Sequence, residues 1–313
     1  MSAAPAAAVL ATEVAGITFQ NPVLLAAGTA AYGREIAGVM ALDDLGGLVT
    51  KAVSVEPRDG APPPRVADFG GGMINAVGLA NPGVDEVKAR HLPWLARELR
   101  RARVFVNVVG RVVEEFAEVV AKLDGASGFH AYEINVSCPN TRAGGLEFGA
   151  DSDALHELVS RARAATRRPL FVKLSPTLAD IGASARRAVD AGADGITVVN
   201  TIPGLVIDPS SRRPVLGFGT GGVSGPGLRP VGVLATWKVH EAVHVPIMGV
   251  GGIATAEDAV QYIIAGASLL AVGTAALADP RAPGRLVHDL AHWCSEQRIP
   301  RLADLVGTLE MPA

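Results

Sequence analysis

The sequence predicts an α/β fold, a (β/α)8 TIM barrel with long insertions after strands two and six. Three observations lead there. Eight short apolar bursts rich in Val, Ile and Leu recur along the 313 residues. Most are separated by amphipathic stretches of helical length, the pattern of βαβ units in a parallel sheet. The composition, 49% hydrophobic but only 4% aromatic and 19% charged, suits a large core wrapped in small-residue helices. Parallel strands are covered on both faces, so near-continuous apolar runs are expected of them. Eight such strands close most economically into a barrel; an open doubly wound sheet is the competing arrangement.

In chain order the bursts are NPVLLAAG (21–28), LGGLVTKAV (45–53), RVFVNVVG (103–110), AYEINVSCP (131–139), PLFVKLSP (169–176), GITVVNT (195–201), VPIMGVGG (245–252) and SLLAVGTA (268–275). VEEFAEVVAKL, SDALHELVSRARAA, ADIGASARRAVDAG and AEDAVQYIIAGA are the clearest helices between them. Residues 54–85 and 202–230 are long connections, and long connections in a compact domain are commonly functional. The first twelve residues, MSAAPAAAVLAT, lack the basic segment of an export signal and are expected to form a flexible tail, with 13–313 as a single domain. Residues 259–278 are free of formal charge and long enough for a membrane span, but Gly266, Gly273 and Thr274 divide them into a helix and a strand.

Charge and cysteine content narrow the function. A net charge of −3 gives no footprint for nucleic acid or an anionic membrane. Cys138 and Cys294 form no CxxC, which argues against a disulfide framework or a cysteine-ligated zinc or iron–sulfur site in this chain and fits a reducing cytoplasm.

Barrel enzymes work at the C-terminal ends of their strands. Those ends hold Lys51, Asn107, Asn135, Lys173, and Asn200 with Thr201 on strands two to six, then Gly251–Gly252 and Gly273–Thr274 on strands seven and eight. Lysines and amides are costly to bury without partners. One would be a satisfied core group; a set at one end of successive strands marks a polar site. Three amides and two ammonium groups match a flat, amide-rich heterocycle bearing an anionic group. The glycine pairs let backbone N–H groups approach a phosphate, and GVGGIATAED reads as strand, turn and helix with Thr255 as N-cap.

At this point the residues resemble a known family. NVSCPN (135–140), NAVGLANPG (75–83), KAVSVEPRDGAPPPR (51–65), VVNT (198–201), GTGGVSGP (219–226), GVGG (249–252) and VGTA (272–275) are similar, in content and order, to the motifs of dihydroorotate dehydrogenases. The resemblance spans roughly residues 14 to 300. It implies FMN-dependent oxidation of dihydroorotate to orotate in pyrimidine synthesis, with Cys138 as the catalytic base. It implies that Lys51, Asn75, Ala76, Val77, Gly78, Leu79, Asn135, Asn200 and Thr201 hold the substrate. It gives FMN to Ala27, Lys51, Ala52, Asn107, Asn135, Lys173, Val199, Gly225, Gly251, Gly252, Gly273 and Thr274. Ala27 stands where the family usually has serine.

Cysteine rather than serine as the base resembles the class 1 branch, and the loops around residues 75–83 and 200–226 resemble its NAD-linked type. That type implies a homodimer joined to a second subunit carrying FAD and a [2Fe–2S] cluster, a heterotetramer without membrane or nucleic-acid contact. The alternatives are the fumarate-using class 1A type, another FMN-dependent pyrimidine reductase, and a flavin-free sugar-phosphate isomerase or synthase. Two decoys are set aside. Gly217, Gly219 and Gly222 satisfy GxGxxG, but Pro226 and Pro230 are expected to prevent the helix that should follow. The pairs His240/His244 and His288/His292 have metal-clamp spacing without an evident third ligand, and no metal is expected.

Overall fold

The computed structural model describes residues 9–137 and 147–312. Eight parallel strands close into a barrel in sequential order. They are β1 (Val23–Leu25), β2 (Gly47–Val49), β3 (Arg103–Val108), β4 (Ala131–Asn135), β5 (Leu170–Leu174), β6 (Gly195–Val198), β7 (Ile247–Val250) and β8 (Leu269–Val272). Each lies inside one of the eight apolar bursts, and the barrel reading is borne out.

Side chains alternate between the barrel interior and the helical ring. Leu24, Val49, Phe105, Ala131, Phe171, Met248 and Leu269 form a buried interior cluster with Val14 and Phe19. Phe105 and Phe171 meet edge to face with ring centroids 5.2 Å apart. Gly195 makes room for them, since a Cβ there would lie 2.4 Å from the Phe171 ring. Below them an antiparallel hairpin, Thr12–Val14 with Ile17–Phe19, packs Val14 and Phe19 into the barrel floor. With the floor filled by hydrocarbon, only the C-terminal mouth is left for a polar ligand. Leu10 is also buried, so packed structure begins before residue 13, earlier than the expected tail boundary.

The two insertions join. Val66–Asp68 and Met73–Asn75 from the first, and Ile202–Gly204 and Gly221–Ser224 from the second, form one four-stranded antiparallel sheet. It stands over the barrel mouth on the β6 side, because Ile202 follows directly from the end of β6. The second insertion then runs through a 3-10 turn, Pro226–Leu228, into the helix Arg229–His240. The expectation that prolines prevent this helix is therefore corrected. Both prolines fall in first turns, where the missing N–H would have had no intrahelical partner and the fixed φ is already helical.

The charge-free stretch 259–278 divides, as the sequence suggested, into a helix, Ala256–Ile264, and a strand, β8, and its last residues add a short helix, Thr274–Ala278, that was not expected. No helix among the described residues is long and apolar enough to cross a membrane. Thr255 caps the first of these helices in a reciprocal capping box with Asp258. Asp258 also accepts from Ala254 N and pairs with Arg229, which ties the turn after β7 to the start of the helix Arg229–His240.

Candidate active site

Alternation along β3, β4, β5 and β6 turns Asn107, Glu133, Lys173 and Thr197 inward, one layer above the phenylalanines. All four are at most 6% exposed. Glu133 Oε1 accepts from Asn107 Nδ2 at 2.7 Å and lies 3.8 Å from Lys173 Nζ. Among the described residues the Lys173 ammonium has no nearer partner, and the Thr197 hydroxyl has none. Buried donors are normally matched, so this layer reaches its full complement only with a further polar group above it.

Glu133 and Thr197 are members of the layer that sequence reasoning missed. A signal existed for Glu133: it stands two residues before Asn135 in an apolar burst, on the same face.

The next layer up is formed by the strand ends. Asn135 Oδ1 accepts from Asn200 Nδ2 at 3.2 Å and from Ser137 N at 3.3 Å. Asn200 Oδ1 in turn accepts from Thr201 N at 2.8 Å. Lys51 is half-buried just past β2, its backbone N–H donating to Ala31 O. Burial, reinforced by the Arg65 guanidinium and opposed by Glu35, holds its ammonium below the ordinary lysine range. Ala52 and Val199 are buried beside these strand ends, and Ala27 packs partly buried against the interior cluster.

Asn200 and Thr201 line a cavity of about 310 Å³ together with Ser137, Ala76, Gly78 and the β-strand glycines Gly221 and Gly222. Asn75 reaches its wall by donating to Gly222 O at 3.3 Å. Gly222 is required there, because a Cβ would lie 2.0 Å from Thr201 Oγ1. Val77 and Leu79 do not line the cavity; Val77 O accepts from Ala61 N, and Leu79 packs against the hydrophobic core. Glu147, which the sequence reading did not single out, also lines it, and burial raises its carboxyl above the usual range. Cys138 lies outside the described residues, between Ser137 and the segment that resumes at Glu147.

At the ends of β7 and β8, the strands that follow β6 around the barrel, Gly225, Gly251, Gly252, Gly273 and Thr274 come together. Gly225 and Gly252 both have left-handed φ, and a Cβ on Gly252 would lie 2.7 Å from Gly225 O. Thr274 Oγ1 donates to Ser224 Oγ at 2.8 Å, and the Tyr262 hydroxyl donates to Gly251 O at 2.6 Å from beneath. The glycines at the ends of β7 and β8 thus pack backbone against backbone, with no Cβ of their own between their N–H groups and the mouth.

Neither histidine pair gathers further ligands: among the described residues no group of three metal-binding side chains occurs. His240 is enclosed by Gly266 and Gly307, and His292 pairs with Glu296 on the surface.

A filled barrel floor, a buried amide–lysine–carboxylate layer and a polar cavity at the C-terminal mouth define a (β/α)8-barrel enzyme. A family model described as Dihydroorotate dehydrogenase matches residues 9–293. The chain belongs to the dihydroorotate dehydrogenase family and is an oxidoreductase.

Among its relatives, the "Dihydroorotate dehydrogenase B (NAD(+)), catalytic subunit" of Pelobacter propionicus is 43% identical, over 96% of this chain and 98% of that one. The protein of the same name from Desulforudis audaxviator is 46% identical, over 95% and 96%. A Solibacter usitatus protein, provisionally named dihydroorotate dehydrogenase A (fumarate), is 47% identical over 96% and 98%. Among solved structures, the Eimeria tenella DHODH in complex with ferulenol superposes with a TM-score of 0.82 at 25% identity, covering 96% of this chain and 88% of that one.

Proposed function

We propose that this chain is the catalytic subunit of an NAD+-linked dihydroorotate dehydrogenase of the cytoplasm, oxidising (S)-dihydroorotate to orotate. The observation that supports this most directly is that Asn200 and Thr201 line one cavity, with Asn135 hydrogen-bonded to Asn200 and Asn75 to Gly222 of the same wall. Amides offer donors and acceptors together, as the ring's imide and carboxylate require. Lys51, Ala76, Val77, Gly78 and Leu79 complete the substrate set, the last three through backbone and loop shape.

FMN, when bound, supplies the hydride acceptor for C6 of the substrate. The residues present fit it. Lys173 and Asn107 would offer buried donors to its ring system, and Lys51, Asn135, Val199, Ala27 and Ala52 would help to hold it. The glycines at the ends of β7 and β8, with Thr274, would hold its phosphate through backbone N–H groups. Lys173 would supply positive charge that favours the reduced, negatively charged form of the cofactor.

Cys138 removes the C5 proton. A thiol has an ordinary pKa near ~8.5, so this role draws on hydrogen bonds or positive charge close by. The NAD+-linked reading calls for a partner subunit that would hold FAD and a [2Fe–2S] cluster and supply the electron transfer to NAD+, in a heterotetramer built on a homodimer. Two relatives named for NAD+ favour this over fumarate; the Solibacter relative, at 47% identity, favours the fumarate reading.

Anaerobic stopped-flow absorbance of the purified chain tests the proposal. Bleaching of a flavin band on adding dihydroorotate is expected. A colourless protein that stays so after incubation with FMN would overturn it. Reoxidation by NAD+ with the partner subunit, against reoxidation by fumarate without it, separates the two acceptors.

A further inference from the structure

Glu133 is an acid at the centre of β4, 1% exposed, inside the barrel. Burying a lone carboxylate costs several kcal/mol, so such a group persists only when paired and hydrogen-bonded. Its partners are Asn107 Nδ2, at 2.7 Å, and Lys173 Nζ, at 3.8 Å, both met by the same oxygen, Oε1. Both are buried residues assigned above to FMN. None of the assigned site residues is acidic, and among the described residues Glu133 is the carboxylate hydrogen-bonded to Asn107 and facing Lys173.

We infer that Glu133 is a positioning residue that orients Asn107 and Lys173 and sets the reduction potential of the flavin above them. The inference rests on the FMN reading of the site. With one Nδ2 proton committed to Glu133, the Asn107 carboxamide has a fixed plane. With a carboxylate on one side, the Lys173 ammonium is held inside the barrel. Its remaining donors face the mouth, because Phe105 and Phe171 fill the space below.

The charge arrangement has a direct consequence. Two-electron reduction leaves negative charge on the pyrimidine side of the flavin, which Lys173 favours and Glu133 opposes through low-dielectric surroundings. The neutral pair therefore holds the potential below the value that the lysine alone would set.

The test is the midpoint potential of the bound flavin, measured by dye-equilibrated reduction of the FMN-loaded protein. Glu133→Gln keeps the acceptor for Asn107 but removes the charge. It is expected to raise the preference for reduced over oxidised FMN about tenfold, a shift of about 30 mV upward for a two-electron couple. Lys173→Gln is expected to move the potential in the opposite direction.

A merely structural Glu133 would lower the melting temperature and leave the potential unmoved; an unmoved or lowered potential in Glu133→Gln overturns the inference while leaving FMN in place. If Glu133→Gln does not fold, the double variant Glu133→Gln/Lys173→Gln removes both charges together. Its potential should lie above that of Lys173→Gln alone, and equality of the two overturns the inference. A wild-type chain that binds no FMN, by fluorescence titration of the apoprotein, removes the FMN reading itself and the inference with it.

Discussion

Asn200 donates from Nδ2 to Asn135 Oδ1 at 3.2 Å, tying the ends of β6 and β4 together over the intervening β5. The same Asn200 accepts from Thr201 N, so one side chain aligns the two strand ends and the residue that follows. Replacing Asn200 by Ala leaves Asn135 Oδ1 with Ser137 N and frees Thr201 N. A hydrogen bond of this kind is worth about 1 kcal/mol to stability and about 1.5–3 kcal/mol to a charged ligand. Asn200→Ala should therefore melt only slightly earlier but raise KM for dihydroorotate roughly tenfold or more. Calorimetry beside steady-state kinetics would reveal a contrary pattern, a large stability loss with unchanged KM.

Glycine at 222 is a steric requirement of the cavity wall. In Gly222→Ala the new methyl would stand 2.0 Å from Thr201 Oγ1 and 2.7 Å from Thr201 Cβ, so Thr201 must move. Loss of substrate affinity is expected with the barrel intact. Gly284, in the helix Ala282–Glu296, is the contrasting position: nothing lies within 4 Å of its added Cβ. Gly284→Ala should leave kinetics alone and add about 0.5–1 kcal/mol of stability. Equal effects at the two glycines would contradict the steric account.

Cys138→Ser exchanges a thiol for a hydroxyl that gives up its proton far less readily. Loss of a well-matched general base costs about 10²- to 10⁴-fold. Flavin reduction by dihydroorotate is expected to slow within that range near neutral pH, with its optimum moved to higher pH. A rate unchanged across pH would exclude Cys138 as the base.

His130 bears on stability. Burial first, then the Arg103 and Arg168 guanidinium groups, push its imidazole down to about 4. The folded protein thus holds the neutral ring, while the unfolded chain protonates near the ordinary value of about 6.5. A base with a depressed folded pKa contributes stability that is complete above 6.5 and is lost as pH falls toward 4. His130→Gln, which retains an acceptor for Val104 N, should show a flatter decline over that window in urea titrations. A decline as steep as that of the wild type would assign the acid limb to other groups.

The barrel was legible because β-branched bursts and amphipathic helices alternate, and each burst needs only local sequence to be seen. The strand-end polar residues were legible for the same reason, as lysines and asparagines breaking apolar runs at one position. What escaped was non-local or masked by local habit. Asn75 pairs with Gly222 across 147 residues, and a glycine-rich strand such as Gly221–Ser224 has no apolar alternation to announce it. Pro226 and Pro230 suggested a break, although first-turn prolines begin helices readily. Glu133 was hidden as a single polar letter whose partners lie on two other strands.

The shared sheet of the two insertions makes the cavity a late product of chain synthesis. Its first wall exists once residue 75 has emerged from the ribosome, but that wall has no second side until residues 221–224 arrive. A nascent chain holding the first five barrel strands is therefore blind to substrate, whatever it has already folded. The same dependence governs transplantation between barrels: either insertion grafted alone arrives with an unpaired strand edge, and only the two together bring a pocket.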